Sequence, residues 1–142
     1  MSAENKKIAR RIAEEVFSKG KLDVLDELVA DDYVGYDIAN PEPMRGREGV
    51  IEQVNTYRSA FSDLKLTVHD QIAEGDRVVT RWRGTGTHTG DLMGITGTGK
   101  QTTVEGVTID RIKNGKIVES YDYWDALGLL QQLGAIPQMA TA

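Results

Sequence analysis

Residues suited to proton transfer cluster in residues 120–125, SYDYWD, near the C-terminal end of the chain. Asp122 lies there between Tyr121 and Tyr123, and Trp124 follows. Bulky aromatic neighbours exclude water from a carboxyl group, and the loss of water raises the pKa of an acid. A carboxyl group whose pKa is close to the working pH is suited to general acid or base catalysis. Asp122 is therefore the first candidate catalytic residue.

A simpler interpretation makes Asp122 a solvated carboxylate at the end of a strand, close to the start of a helix. Acidic side chains often cap helix N-termini. Asp125, however, directly precedes the helical stretch ALGLLQQL and is better placed for that role. Because capping does not require Asp122, the sequence favours a pocket acid over the solvated carboxylate.

Asp37 is the second candidate catalytic acid. It ends the stretch ADDYVGYD, where it is either a turn residue before IANPEP or a base inside a pocket. If Asp37 and Asp122 face one cavity, repulsion between the two charges raises the pKa of one of them.

Aromatic and polar side chains supply a candidate pocket lining. Aromatic residues most often belong to a hydrophobic core, and a histidine at a strand end is most often on the surface, so contact with a ligand is the alternative for each. The candidates for ligand contact are Tyr36, Tyr57, Trp82, His88 and Trp124.

The elements that would position these side chains follow an order of helices first and strands second. Apolar residues at helical spacing predict helices over Glu4–Ser18, Leu22–Val29 and Arg47–Phe61. Apolar and polar residues then alternate from Leu64 to Tyr123, which predicts antiparallel strands. A short helix ends the pattern. The order indicates an α+β fold, a curved antiparallel sheet packed against N-terminal helices with a short C-terminal helix.

The last two strands form a hairpin around the Asn114-Gly115 dipeptide. A two-residue type I′ loop would pair Val107 with Asp122 and turn Thr108 to the opposite face, whereas a three-residue loop with Gly115 in a left-handed bulge shifts the register by one residue. In the second case one face carries Thr108, Ser120, Asp122 and Trp124. The other face then carries Val107, Ile109, Ile117 and Tyr121.

Composition and charge argue against several functions. The chain carries 17 Lys and Arg against 22 Asp and Glu, a net charge of -5, which argues against nucleic acid or an anionic membrane as the main partner. Cysteine is absent and the two histidines lack metal-ligand spacing, so neither a disulfide framework nor a protein-held metal is expected. The N-terminus has no secretory apolar segment, and no apolar run approaches the ~20 residues of a membrane span. A single cytoplasmic domain over residues 1–142 is expected.

Four stretches together resemble the SnoaL-like polyketide cyclases, within the nuclear transport factor 2-like superfamily. They are DELVADDYV, GREGV, AEGDRVVTRWRGTGTHTGDLMGI and NGKIVESYDYWDALGLLQQLG, which span nearly the whole chain. The resemblance implies a cone-shaped α+β fold with a ligand cavity at the open end of the sheet. Cyclases of this family close a ring by intramolecular aldol condensation without cofactor or metal. The same fold also hosts binding modules without catalysis.

The resemblance also implies roles for particular residues. Asp122 occupies the position of the family's general acid/base aspartate, at the end of the last long strand. Thr108 stands where those cyclases carry a histidine, and Gly35 where they carry an asparagine. Because positions 108 and 122 face one cavity in the family, the three-residue loop is the favoured register. A weaker resemblance to ketosteroid isomerases matches Asp37 to that family's aspartate base and Ala13 to its oxyanion-hole tyrosine.

These observations support functions of different classes. The leading hypothesis is a cofactor-free general acid/base enzyme acting on a small hydrophobic carbonyl compound by aldol cyclisation, isomerisation or related enolate chemistry. The alternative is a non-catalytic small-molecule-binding or orphan module, favoured by Thr108 and Gly35 at the expected His and Asn positions. A dimerisation module is expected instead if the chain's own side chains fill the cavity. An apolar outer sheet face, with Val107, Ile109, Ile117 and Tyr121, predicts a homodimer.

Overall fold

Two helical stretches precede the first strand in the computed structural model, which describes residues 2–137. Helix α1 (Ser2–Arg11) continues directly into a π-helical segment (Ile12–Phe17). Helix α2 (Leu25–Leu28) is shorter than predicted, and α3 (Gly46–Ala60) matches its predicted span within one residue at each end. Helix α4 (Ala126–Gln132) follows the last strand. Within residues 2–137, none of these helices is long and apolar enough to cross a membrane.

The predicted α+β class is confirmed, and one feature of the sheet differs from the prediction. The strands are β1 (Val29–Asp37), β2 (Met44–Arg45), β3 (Lys65–Glu74), β4 (Arg77–Thr87), β5 (Gln101–Lys113) and β6 (Lys116–Trp124). They are ordered β2-β1-β6-β5-β4-β3. Strand β1 pairs in parallel with β6, while the other neighbours are antiparallel. The sheet is therefore mixed, since the strand that follows the first helices joins the far side of the β3–β6 meander.

In the β5–β6 hairpin, Thr108 and Asp122 share one face of the sheet as expected, but the loop differs from the predicted one. Lys113 pairs with Lys116, so the loop has two residues, and Asn114 and Gly115 have positive φ angles of 52° and 76°. The predicted three-residue loop is wrong, because this geometry is that of a type I′ turn. Thr108 nevertheless pairs with Asp122.

A one-residue bulge in β6 explains the register. Arg111 pairs with Glu119, whereas the next residue, Ile112, pairs with Ile117, which leaves Val118 without a partner residue on β5. A bulge of this kind shifts every later pair by one position. It also turns Ile117 into the core, where the residue is 2% exposed. The prediction that Ile117 lies on the outer face is wrong for that reason.

Two apolar clusters hold the helices against the inner face of the sheet. Helix α1 packs on β3 and β4, and α3 packs on β1. The first cluster joins these helices to the sheet and includes Val16, Leu25, Val54, Val78 and Ile117. The second cluster gathers around α4 and the end of α3, and consists of Ala60, Phe61, Leu92, Leu129 and Leu133. Both clusters contribute walls to the cavity described below.

Candidate active site

A partly open cavity of about 120 Å³ lies between the helices and the inner face of the sheet. Its walls come from α1, α3 and α4 on one side and from β1, β4, β5 and β6 on the other. An engineered apolar cavity of ~150 Å³ holds one benzene molecule. The cavity therefore has room for about one ring of a ligand, and a larger ligand has to extend out through the opening.

Asp122 lines this cavity near the end of β6. The Thr108 hydroxyl donates a hydrogen bond of 2.7 Å to Oδ1, and the Gln53 amide nitrogen donates one of 2.9 Å to Oδ2. Trp82 Nε1 in turn donates to Thr108 Oγ1 at 3.0 Å, which fixes the direction in which the threonine hydroxyl donates. Strands β4, β5 and β6 thus present Trp82, Thr108 and Asp122 as one hydrogen-bonded row.

The protonation of Asp122 reflects its environment. Burial in the cavity raises the pKa of Asp122 to about 6, although hydrogen bonds from Gln53 and Thr108 lower it, and the nearby Asp37 adds a smaller increase. Near neutral pH this carboxyl group can therefore exist in both its protonated and its ionised form. A group with that property can remove a proton and return it.

Asp37 is buried beside Asp122 and accepts hydrogen bonds on both oxygens. Oδ1 accepts from Trp124 Nε1 and from the Ala39 backbone amide, each at 2.9 Å. Oδ2 accepts from the Tyr57 hydroxyl at 2.7 Å and from Gln53 Nε2 at 3.2 Å. A carboxylate offers about four acceptor positions, so these four donors occupy all of them. Asp37 therefore has little capacity left to accept a proton from a ligand.

Gln53 links the two acids, because its single amide nitrogen donates to Asp37 and to Asp122. Tyr57 stands one helical turn further along α3 and contacts the Trp124 ring edge-on, with centroids 5.9 Å apart. Burial and the neighbouring Asp37 raise the pKa of the Tyr57 phenol. The phenol is therefore held as a hydrogen-bond donor.

Two tryptophans and a glycine shape the sheet side of the cavity. Trp82 and Trp124 both pair with Gly106, one from β4 and one from β6. A Cβ atom at position 106 would lie 2.6 Å from the Trp82 ring and 2.8 Å from Trp124 Cβ. The missing side chain therefore lets both indoles approach the centre of the sheet.

Tyr33 occupies space next to Gly35 on β1. A Cβ atom at position 35 would lie 2.2 Å from the Tyr33 hydroxyl oxygen, so this placement of the phenol requires glycine there. Tyr33 lines the cavity and is only 5% exposed. Burial raises the pKa of Tyr33, and the charge of Asp122 raises it further. The phenol stays protonated as a result.

A third acid, Asp110, lines the same cavity. It is 4% exposed and pairs across the hairpin with Ser120, whose hydroxyl donates a hydrogen bond to Asp110 Oδ1. Burial raises the pKa of Asp110 to about 7, the hydrogen bond from Ser120 lowers it, and the charge of Asp122 raises it. This carboxyl group is therefore largely protonated in mildly acidic solution.

The structure brings most of the candidate site residues to one cavity. The lining includes Asp37, Tyr57, Trp82, Thr108, Ser120, Asp122 and Trp124. Asp125, as expected, caps α4 by accepting a hydrogen bond of 2.8 Å from the Gly128 amide.

Two predicted pocket residues, Tyr36 and His88, lie outside the cavity lining, contrary to the prediction. Tyr36 is 42% exposed and stacks on Tyr121 on the outer face of the sheet, because neighbours along a strand point to opposite faces and Asp37 points inward. His88 is fully buried beyond the end of β4, where its ring packs near Phe61 and its Nδ1 accepts from the Thr98 amide. Its alternative placement on the surface is wrong as well.

Sequence reasoning missed several polar members of the cavity wall, and Gln53 and Asp110 are the two that bear on the chemistry. Gln53 lies three residues after Val50 and four before Tyr57, so it falls on the buried stripe of α3, where a polar side chain is a usable signal. Asp110 is two residues from Thr108 and shares its face. Because Thr108 is expected to face the cavity, this alternation along β5 is a usable signal for Asp110 too. Within residues 2–137, no group of three His, Cys, Asp or Glu side chains is arranged to hold a metal ion.

Comparison with known proteins gives consistent matches in sequence and structure. Residues 7–133 match the family model described as SnoaL-like polyketide cyclase. The aklanonic acid methyl ester cyclase of Streptomyces sp. (strain C5) is 32% identical over 130 residues, which cover 89% of this chain and 80% of the relative. The nogalonic acid methyl ester cyclase of Streptomyces nogalater is 30% identical over 119 residues, covering 83% and 89%.

Solved structures have the same fold. A structure from Jannaschia sp. CCS1, assigned as a SnoaL-like polyketide cyclase, superposes with a TM-score of 0.87 at 25% identity and covers 96% of this chain and 95% of that one. TsrD from Streptomyces laurentii superposes with a TM-score of 0.84 at 30% identity, covering 94% and 97%.

Proposed function

The chain belongs to the SnoaL-like polyketide cyclase family, and from that premise we propose that it is a cofactor-free general acid/base enzyme acting on a small hydrophobic carbonyl compound. Asp122 is its acid/base. The proposal depends on the environment of this carboxyl group. It lines an apolar cavity and accepts hydrogen bonds from two side chains, and burial raises its pKa to about 6.

The chemistry that suits this arrangement is formation and capture of an enolate. The ionised Asp122 takes a proton from a carbon next to a carbonyl group, and the electrons of that C–H bond form the enolate. In an aldol cyclisation the enolate carbon attacks a second carbonyl carbon of the same molecule and forms a C–C bond. The oxygen of the second carbonyl then receives the proton back from Asp122. In an isomerisation the proton returns to a different carbon.

The other polar groups would prepare Asp122 for this cycle rather than replace it. Thr108 and Gln53 hold its two oxygens in place. Asp37, with four donors of its own, orients Gln53, Tyr57 and Trp124 around the ligand. Its assignment as a second catalytic base is less favoured, because its acceptor positions are occupied.

A ligand-binding module without catalysis is the second candidate. Its support is Thr108, which replaces the family's histidine and has its hydroxyl engaged between Trp82 and Asp122. A hydroxyl group cannot take up a proton near neutral pH as an imidazole can. Under this alternative the cavity retains a ligand and Asp122 only binds it.

Turnover and binding of the same compounds separate the two candidates. The test substrates are aklanonic acid methyl ester and nogalonic acid methyl ester, the compounds for which the relatives are named. We expect the wild-type protein to convert at least one of them and Asp122→Asn to lose turnover while it still binds. Asp125→Asn is the matched control, because Asn also caps helices well and this site caps α4. Ligand-induced stabilisation of the wild type without turnover would favour the binding module instead.

We also propose a homodimer formed through the outer face of the sheet. With Ile117 in the core, the exposed side is formed by Val107, Ile109 and Tyr121, together with the Tyr36–Tyr121 stack and the exposed Tyr123. An apolar patch of this kind usually marks a partner surface. A cytoplasmic location remains a prediction from the cysteine-free sequence.

A further inference from the structure

We propose that Asp110 is a second ligand-binding acid, which in its protonated form donates a hydrogen bond from Oδ2 to a carbonyl oxygen of the ligand at the inner end of the cavity. The inner end is the part lined by Asp110, Ser120 and Ile117, next to the first apolar cluster. The inference rests on the proposed function in one respect, namely that the cavity receives a carbonyl compound.

The position of Asp110 relative to Asp122 supports a role in holding the ligand. Thr108–Asp122 and Asp110–Ser120 are pairs across β5 and β6 with only the Ile109–Tyr121 pair between them, and the four side chains share the inner face. Diagonal neighbours of this type stand ~7 Å apart between backbones. A cyclic ligand that contacts Asp122 can therefore also place an oxygen atom near Asp110.

The hydrogen bonds of Asp110 leave one oxygen free for a ligand. Oδ1 accepts from the Ser120 hydroxyl, whereas Oδ2 has no hydrogen-bond partner within the described residues. The side chain is nevertheless 96% withdrawn from solvent, with an exposure of 4%. Oδ2 itself is not sealed off, because His88 Nε2 is the one side-chain polar atom of the described residues that is fully buried without a hydrogen-bond partner. Since Asp110 lines the cavity, a ligand atom can reach Oδ2 from there.

The groups around Asp110 favour its protonated form and therefore the role of donor. Strand β6 contributes Ser120 and Asp122, β4 contributes Val78, which pairs with Asp110, and β1 contributes Tyr33, whose pKa the charge of Asp110 raises. Among the described residues, the cavity lining contains no Lys, Arg or His. Without a cation nearby, a buried carboxyl group is more stable in its neutral form. A neutral carboxyl group donates one hydrogen bond, which a carbonyl oxygen accepts.

A purely structural pair of Asp110 and Ser120 is the competing explanation. It predicts that substitutions change stability but not the relation between ligand affinity and pH. It also predicts no preference for a ligand carbonyl that depends on residue 110. The decisive measurement is therefore the affinity for a matched pair of compounds at two pH values.

The probes are 1-tetralone, a bicyclic aryl ketone, and tetralin, the same ring system without the oxygen. Affinities are measured by calorimetry at pH 6 and pH 8. We expect the wild-type protein to bind 1-tetralone about tenfold more weakly at pH 8, because Asp110, whose pKa burial raises to about 7, goes from ~90% to ~10% protonated over that range. Tetralin affinity should not change with pH.

Two variants test whether Asp110 causes the pH dependence of 1-tetralone affinity. Asp110→Asn keeps a donor and an acceptor in place, so 1-tetralone binding should persist and lose its dependence on pH. Asp110→Leu removes the donor, so the preference for 1-tetralone over tetralin should disappear. Circular dichroism checks that both variants fold. If Asp110→Leu is unfolded, Asp110→Asn alone decides the matter.

Binding in an Asp122→Asn background separates this inference from the proposed enzymatic function. That variant lacks the proposed catalytic acid, so loss of turnover leaves the binding readout intact. We expect the affinity for 1-tetralone still to fall between pH 6 and pH 8 there, with the midpoint moved to lower pH, because the charge of Asp122 no longer raises the pKa of Asp110. The proposal is overturned if the effect persists in Asp110→Asn, if it vanishes in Asp122→Asn, if affinity rises with pH, or if neither probe binds.

Discussion

Thr108 and Asp122 face each other directly across β5 and β6, and the Thr108 hydroxyl donates a hydrogen bond of 2.7 Å to Asp122 Oδ1. Because Trp82 already donates to the same hydroxyl, Thr108 has its proton directed at the acid. A relay of this kind holds the carboxyl group in a fixed orientation. It also favours the ionised form of Asp122 and so limits the rise in its pKa that burial causes.

Replacing Thr108 by valine should raise the pKa of Asp122 further. Valine has nearly the shape of threonine but cannot donate, so the ionised acid loses one of its two stabilising hydrogen bonds. If the ionised form is the active base, the acidic limb of the pH–rate profile should move to higher pH. Carbon-13 NMR of the Asp122 carboxyl group would follow the same shift without a substrate. Thr103→Val, at an exposed position of the same strand, is the control, and an equal shift there would contradict the assignment.

Asp122→Asn should stabilise the protein at neutral pH. The folded pKa of about 6 lies above the unfolded value of about 3.9, so the native state binds the proton more tightly. The wild type therefore loses stability as pH rises from about 4 through 6, and below pH 4 the difference from the variant vanishes. The gain at pH 7.5 should be on the order of 1–3 kcal/mol in urea unfolding. An unchanged or lower stability at pH 7.5 would mean that the acid is not held in a desolvated state.

Gly35→Ala should destabilise the protein through Tyr33. The added methyl group would overlap the Tyr33 hydroxyl, and overpacking of this kind typically costs ~1–3 kcal/mol. Tyr33→Phe removes the overlapping oxygen, although the ring carbon behind it would still be only 2.8 Å away. The double variant should therefore lose less than the sum of the two single variants. A double-mutant cycle of unfolding free energies measures this coupling, and strict additivity would argue against the contact.

How much of the site could be foreseen depends on how local each signal is. The shared face of Thr108 and Asp122 was predicted correctly from the family resemblance. The way in which the hairpin achieves this register was predicted wrongly. Asn114 and Gly115 are typical of the two-residue turn that is observed, but the bulge at Val118, which shifts the register, has no local sequence signal. A bulge depends on which side chains the folded sheet buries, and Ile117 is buried by helices distant in sequence.

Placement errors at single residues have similar causes. Tyr36 could have been assigned correctly, since strand alternation forbids Tyr36 and Asp37 from facing one side together. His88 shares the parity of Trp82, but it follows the end of β4 and packs against Phe61, a residue of the cavity wall, without lining the cavity itself. Chain position alone does not tell where a cavity ends. Gln53 interrupts an apolar stripe and was detectable. Asp110 was detectable as well, because alternation along β5 places it on the same face as Thr108, which was expected to face the cavity.

The outer face of the sheet gives the last prediction, on assembly. Tyr36 and Tyr121 stack there with ring centroids 5.0 Å apart, and Tyr123 beside them is 46% exposed. If this face is the dimer interface, light scattering at micromolar concentration should give twice the mass of the chain. Tyr121→Glu should produce a folded monomer, because a buried charge without a partner is strongly unfavourable in an interface. Leu127→Glu, at an exposed apolar position on α4, is the control and should leave the dimer intact. A wild-type monomer at that concentration would contradict the dimer. Equal loss of the dimer in both variants would contradict an interface on the outer face of the sheet.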